Sequence, residues 1–155
     1  MKTTNQTTGG VAPVSKILVP TDFSAQARNA LDWAQYLARA FGAQLILLHV
    51  VDISSPAEVS CAVAGADARP LLREAAQNDI DQLRALAPGA QGVVREASVR
   101  PAIVEAALEL NCQMIVMGTH GRSGVPHLLL GSVAEYVVRN SSVPVLTVRV
   151  PREQD

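Results

Sequence analysis

Glycine, serine and histidine are concentrated where an apolar run gives way to a loop. Residues 114–117 (Met-Ile-Val-Met) are followed at 118–124 by Gly-Thr-His-Gly-Arg-Ser-Gly, and Gly131-Ser132 opens a segment of helical character. Glycine lets main-chain N–H groups approach an anion closely, and the start of a helix presents unpaired N–H donors and the positive end of the helix dipole. The combination predicts a site that holds phosphate groups.

The spacing of this motif, Gly-x2-Gly-x9-Gly-Ser, excludes two common nucleotide fingerprints. No Gly-Lys-Ser/Thr closes the loop as in a Walker A motif, and the dinucleotide pattern Gly-x-Gly-x-x-Gly does not fit it either. The motif resembles, position for position, the ATP-binding signature of the universal stress protein family. The resemblance extends to residues 16–24, 47–50 and 143–148 and covers the chain from about Lys16 to Arg149.

This resemblance implies ATP as the ligand, with Mg²⁺ or Mn²⁺ bridging its phosphate oxygens through few protein ligands. Asp22 is expected to accept hydrogen bonds from the adenosine part of the nucleotide. The resemblance places Val50 beside the adenine and Met117 at the start of the phosphate turn, both largely through their main chain. The other implied contacts are Pro20, Thr21, Gly118, His120, Gly121, Arg122, Gly131, Ser132 and Val133.

Several of these residues also have a purely structural interpretation. The glycines can serve turn geometry alone, and Asp22, with Ser24 as the other candidate, can cap the helix that follows it. Ser132 has the spacing of a capping box with Glu135. Core packing is the default role of the Val50 and Met117 side chains, and Arg122 can be a solvated loop cation.

Two further features bear on the site. His49 lies in an apolar strand and is interpreted as a satisfied histidine of the core or crevice. Pro126 and His127 depart from the polar or basic pair that many family members carry there, which predicts weaker nucleotide binding. Valine at Gly118 or Gly131 is expected to abolish binding by filling the space that the phosphates need.

The elements that must position this site alternate along the chain. Hydrophobic periodicity predicts strands at 16–19, 45–51, 91–99, 114–117 and 143–150, with helices at 24–41, 70–86, 101–110 and 132–140 between them. The order predicts an α/β fold, a doubly wound five-stranded parallel sheet with helices on both faces. The resemblance implies the Rossmann-like strand order 3-2-1-4-5, which brings the carboxyl ends of the first and fourth strands to one crevice.

Composition narrows the class of protein further. The chain has 155 residues, 48% of them hydrophobic, and a net charge of −1. Such a charge provides no basic surface for nucleic acid or anionic lipid, and no apolar run approaches the roughly 20 residues of a membrane-spanning helix. Neither nucleic acid nor a membrane is therefore an expected partner.

The ends of the chain and the cysteines suggest an intracellular protein. Residues 1–15 are polar, lack the apolar core of a secretory signal, and are interpreted as a disordered leader; 16–150 form the nucleotide-binding domain and 151–155 a tail. Cys61 and Cys112 lie in unrelated contexts, which supports neither a disulfide framework nor a metal site. A reducing cytoplasm is the expected location.

The predicted function is that of an ATP-binding stress-response or regulatory module whose bound state is read by protein partners. The family usually forms homodimers, and the last strand offers a free edge for joining two sheets. Two alternatives stay open: a slow ATPase or phosphoryl or nucleotidyl transferase that uses His120 and Arg122, and a dimeric interaction module without nucleotide. No catalytic apparatus is apparent in the sequence.

Overall fold

Residues 10–54, 69–120 and 130–149 are described by a computed structural model of the chain. The strands of this part are β1 (Lys16–Pro20), β2 (Gln44–Asp52), β3 (Gln91–Ala97), β4 (Met114–Gly118) and β5 (Val145–Val148). Its helices are α1 (Ala25–Phe41), α2 (Arg69–Ala85), α3 (Val99–Glu109) and α4 (Ser132–Asn140).

All five strands form one parallel sheet in the order β3-β2-β1-β4-β5. β1 lies in the middle, where Ile17 is opposite Leu45 of β2 on one side and Met114 of β4 on the other. The predicted doubly wound sheet and its strand order are confirmed. The direction in which the chain adds strands reverses between β1 and β4, and ligands of open α/β sheets bind at such a switch point.

The two faces of the sheet carry separate apolar cores, because side chains alternate along each strand. Ile17 and Val19 face the side covered by α1 and α2, whereas Leu18 faces the side covered by α3 and α4. Helices therefore pack on both faces, as predicted. No strand of the sheet's centre exposes a face to water, which explains the unbroken apolar runs in β1, β2 and β4.

Both ends of α1 follow local sequence signals. Ser24 is the N-cap, and its Oγ accepts a hydrogen bond from the Ala27 N–H at 3.2 Å. Gly42 ends the helix in the left-handed conformation (φ 66°), and its N–H donates to the Ala38 carbonyl. The predicted start and stop of this helix are confirmed.

The bounds of β3, α3 and β5 differ by two residues from the sequence prediction, and the other bounds differ by at most one residue. α3 begins at Val99, so the strand predicted to reach 99 ends at Ala97 and the helix starts two residues before Pro101. Proline is tolerated there because N–H groups of the first helical turn have no intrahelical acceptor. β5 covers only Val145–Val148, and the Pro144 carbonyl still accepts from the Ile115 N–H at 2.9 Å.

The described part of the predicted leader contacts the sheet. Val14 packs against the core on the α1 side, and the Ser15 carbonyl accepts from the Gln44 N–H at 2.9 Å. Residues 1–9, Cys61 and the predicted tail at 151–155 lie outside the described residues. None of the helices in the described ranges has the length and apolar character required to cross a membrane.

Candidate functional site

β1 and β4 are paired neighbours in the sheet, and a turn follows the carboxyl end of each. The Thr21 N–H, just after β1, donates to the Leu48 carbonyl of β2 at 2.8 Å. The Thr119 N–H, just after β4, donates to the Val148 carbonyl of β5 at 3.0 Å. The main chains that follow these two adjacent strands are therefore hydrogen-bonded to opposite neighbours in the sheet, which is the arrangement of a topological switch point.

The turn after β1 is held by hydrogen bonds within it. Pro20 is buried and pairs with Leu48, and Thr21 is buried behind it. The Thr21 Oγ1 accepts from the Phe23 N–H, and the Asp22 Oδ1 accepts from the Ser24 N–H, both at 3.0 Å. The two predicted cap residues thus have separate roles: Ser24 caps α1, and Asp22 accepts a hydrogen bond from the Ser24 N–H.

His49 of β2 contacts the same turn from the neighbouring strand. Its Nδ1 lies 2.8 Å from the Thr21 carbonyl oxygen, and its ring centroid lies 4.6 Å from that of Phe23. His49 is half-buried, and the interpretation as a satisfied crevice histidine is confirmed. That its partners are the two residues flanking Asp22 was not predictable from the sequence.

Val50 and Met117 are placed by the sheet rather than by side-chain chemistry. Both are buried and belong to the apolar cluster on the α3 and α4 side, together with Leu48. The core role expected of their side chains is confirmed. What each can offer to a ligand is its main chain, since both lie near the carboxyl ends of their strands.

The turn after β4 and the start of α4 are joined directly. The Gly131 N–H donates to the Thr119 carbonyl at 2.7 Å. A Cβ atom added to Gly131 would lie 3.1 Å from that carbonyl oxygen, which is closer than side chains normally approach. Glycine at 131 therefore permits this contact, which brings the beginning of α4 to the end of β4.

Thr119 is a residue of this region that the sequence prediction missed. It is buried, its main chain joins β5 to Gly131, and its Oγ1 lies 3.1 Å from the Nδ1 of His120. The signal available in the sequence was its position between Gly118 and His120, inside the predicted phosphate loop.

Gly118 is required by the protein's own packing. A Cβ atom there would meet the main-chain carbon and oxygen of Gln26, in the first turn of α1, at 3.2 Å. A valine at Gly118 would press on α1 whether or not a phosphate lies nearby. The expectation that this substitution would act only through the space for phosphates is therefore incomplete.

The start of α4 differs from the predicted capping box. The N-cap is Gly131 (φ −71°, ψ 161°), which has no side chain, and Ser132 is the first helical residue and exposed. Glu135 pairs with Arg139 at 2.9 Å instead of reaching back to Ser132. The capping-box prediction was wrong because the Gly131 contact with Thr119 shifts the helix start by one residue. The N–H groups of Ser132 and Val133 belong to the first turn, where no helical carbonyl accepts them.

Part of the predicted site lies beyond the residues that the structure describes. Gly121 and Arg122 fall in this part, as do Pro126 and His127, so their predicted roles stay predictions. Within the described ranges, His, Cys, Asp and Glu side chains form no group of three that would hold a metal ion.

Comparison with known proteins places the chain in a family. The model of the universal stress protein family matches residues 13–149. Universal stress protein MJ0531 of Methanocaldococcus jannaschii is 35% identical over 147 residues, which cover 90% of this chain and 84% of that protein. The structure of MJ0577 from the same organism matches with a TM-score of 0.80 and 29% identity, over 91% of this chain and 99% of the other.

A further relative carries a ligand. The crystal structure of a universal stress protein in complex with cAMP matches with a TM-score of 0.57 and 32% identity, over 89% of this chain and 98% of that one. The family model spans nearly the whole sequence, and the fold of the chain is similar to these structures. The chain belongs to the universal stress protein family.

Proposed function

We propose that the protein is an ATP-binding universal stress protein and that ATP binds in the crevice between the ends of β1 and β4. The observation that carries the proposal is the 2.7 Å hydrogen bond from Gly131 to Thr119. It holds the first turn of α4, whose N–H groups have no acceptor within the helix and which carries the positive end of the helix dipole, beside the turn after β4. Polyphosphate is the class of ligand that such donors favour.

The predicted contacts divide between the two halves of the nucleotide. Asp22, with Pro20 and Thr21 before it, lies on the β1 side and suits adenosine, whose hydroxyl and amino groups donate hydrogen bonds. The main chain of Val50 suits the adenine edge. The phosphates are assigned to the remaining predicted contacts: Met117, Gly118, His120, Gly121, Arg122, Gly131, Ser132 and Val133.

The relative solved with cAMP supports an adenine nucleotide in this family, and the Gly-x2-Gly-x9-Gly-Ser motif supports the extension to a triphosphate. A bound Mg²⁺ or Mn²⁺ would neutralise phosphate charge. Such an ion would be held mainly by phosphate oxygens and water, which is usual for Mg²⁺ in nucleotide sites. The absence of a three-residue metal cluster among the described residues is compatible with that arrangement.

The proposed biological role is that of a nucleotide-dependent stress-response or regulatory module in the cytoplasm. Protein partners would recognise its nucleotide-bound state. Residues 16–150 would form the binding domain, with a leader at 1–15 and a tail at 151–155. β5 lies at the edge of the sheet and has a partly exposed Leu146, which supports a homodimer joined along that strand.

The proposal is tested on protein purified without added nucleotide. Acid extraction followed by chromatography should recover ATP or ADP, and the stripped protein should bind ATP in a calorimetric titration. An empty extract together with no heat of ATP binding would contradict the proposal and favour a nucleotide-free interaction module. ATP turnover that is lost in His120→Ala would instead identify a slow ATPase.

A further inference from the structure

His49 occupies an unusual place in β2. The strand residues on either side of it, Leu48 and Val50, face the core on the α3 and α4 side. His49 faces the opposite side, in line with Leu45 and Leu47, where Phe23 packs against the α1-side core. A half-buried imidazole therefore lies directly under the turn that carries Asp22.

The ring of His49 makes two different contacts with this turn. Its Nδ1 lies 2.8 Å from the Thr21 carbonyl oxygen, and a carbonyl can only accept, so Nδ1 must carry a proton. Its face packs against Phe23, with the ring planes tilted by 35°. One side chain thus contacts both chain neighbours of Asp22.

The turn needs such support because Phe23 has a backbone conformation that bulky residues rarely adopt. Its φ is 63°, in the left-handed region. The hydrogen bond from the Phe23 N–H to Thr21 Oγ1 and the ring contact with His49 hold it there. The position of the Asp22 carboxylate follows, since its Oδ1 accepts from the N–H of Ser24, the residue after Phe23.

We propose that His49 is a positioning residue for Asp22. Its Nδ1–H fixes Thr21, its ring fixes Phe23, and the two contacts together set where the Asp22 carboxylate lies in the crevice. The consequence for affinity rests on the proposed function, because it concerns the same nucleotide site. The consequence for the turn itself is measurable without any nucleotide.

Two substitutions separate the contacts. His49→Phe keeps a ring against Phe23 and removes the donor to Thr21. His49→Asn removes the ring but places an amide nitrogen close to the position of Nδ1, so it restores the donor. Ile80→Val is the matched control, since it trims the same α1-side core at a fully buried residue of α2, away from the turn.

The first measurement is hydrogen exchange at the Phe23 and Ser24 amides in nucleotide-free protein. Loss of one net hydrogen bond predicts exchange roughly fivefold faster in His49→Phe than in the wild type, with part of the protection regained in His49→Asn. Ile80→Val should leave these two amides close to wild type. Equal exchange in His49→Phe and Ile80→Val would overturn the proposal.

The second measurement is the nitrogen NMR spectrum of the His49 ring in the wild type, which does not depend on any variant folding. A proton on Nδ1 is expected, and a ring protonated on Nε2 alone would overturn the proposal.

Calorimetric ATP titration then links the turn to the site. The Kd should rise in His49→Phe and be partly restored in His49→Asn, while Ile80→Val stays near wild type. A Kd unchanged in His49→Phe would show that His49 does not position Asp22 for the nucleotide. If the wild type binds no ATP, the proposed function fails. The hydrogen-exchange measurement and the nitrogen NMR spectrum of the His49 ring still decide whether His49 holds the turn.

Discussion

Polar groups are arranged in opposite ways at the amino end of β1 and β4 and at the start of α4, which lies at their carboxyl end. At the amino end of β1 and β4, the Gln113 Oε1 accepts from the Ser15 N–H (3.0 Å), the Ser15 hydroxyl (2.9 Å) and the Lys16 N–H (2.9 Å). The Gln113 Nε2 donates to the Asn111 carbonyl at 2.6 Å. At the carboxyl end, the first turn of α4 starts at Gly131, which brings no side chain to its donors.

This difference indicates which groups contribute to stability and which can bind a ligand. Groups that satisfy one another at the amino end stabilise the fold and are unavailable to a ligand. Donors held in place at the carboxyl end, by Gly131 and Thr119, are suited to an anion that the protein itself does not supply. Substitutions at the two ends should therefore affect different measurements.

The largest expected effect is on stability, from Gln113→Ala. Removal of the amide that joins Ser15 and Lys16 to β4 should lower the free energy of unfolding by about 2 kcal/mol, since each net hydrogen bond contributes ~1 kcal/mol and part of the cluster is exposed. Urea unfolding measures this change. Gln77→Ala is the control, because Gln77 is exposed and its contact with Asp81 is 3.4 Å long. A large loss of ATP affinity in Gln113→Ala would show that the amino end affects ligand binding as well as stability, which would contradict this prediction.

Asp22→Asn should change the affinity for ATP rather than the stability of the fold. Asparagine retains an oxygen that accepts from the Ser24 N–H, so the turn should persist, but the charge is lost. Hydrogen bonds to a charged group contribute more than neutral ones, which predicts roughly tenfold weaker ATP binding by calorimetry. Asp32→Asn, at an exposed position of α1, is the matched control. Equal affinity of the two variants would remove Asp22 from the site.

Ser132→Ala should have a smaller effect on the same titration. The loss of one hydroxyl at the start of α4 predicts roughly threefold weaker ATP binding. Because Ser132 is the first helical residue and not the cap, the stability should change by less than about 0.5 kcal/mol. Ser142→Ala, an exposed serine beyond the other end of α4, is the control. A stability loss of ~1 kcal/mol, which is typical of a deleted cap, would contradict the assignment of Gly131 as the N-cap of α4.

The smallest expected effect is a pH dependence at the amino end. Burial raises the pKa of the Cys112 thiol, and the nearby Lys16 charge opposes the shift in part. A raised pKa favours the neutral thiol in the folded state, so its stabilising contribution is complete below the pKa of the unfolded thiol and is lost as the pH rises toward the folded value. Urea unfolding at neutral and alkaline pH should show a steeper decline in the wild type than in Cys112→Ala. An equal change in the free energy of unfolding with pH in both proteins would contradict this prediction.

Much of the fold was predictable from the sequence because hydrophobic periodicity and helix signals are local. Ser24 and Gly42 bound α1 where their chemistry predicted. Arg95 and Glu96 indicated an edge strand, and β3 lies at the edge, with these residues paired to Glu109 of α3 and Arg73 of α2.

The details of the site were less predictable because they depend on contacts between distant parts of the chain. The start of α4 is set by the contact of Gly131 with Thr119, and the three-residue spacing of Ser132 and Glu135 cannot reveal it. The packing of Gly118 on Gln26 and the bond from His49 to Thr21 arise only when neighbouring elements meet.

If ATP binds at the carboxyl end of β1 and β4, the amide chemical shifts of the residues there should change during an ATP titration. We expect saturable shifts at Asp22, Val50, Thr119, Ser132 and Val133, with Lys16 and Gln113 at the other end unchanged. Shifts absent throughout, or confined to the amino end, would contradict it.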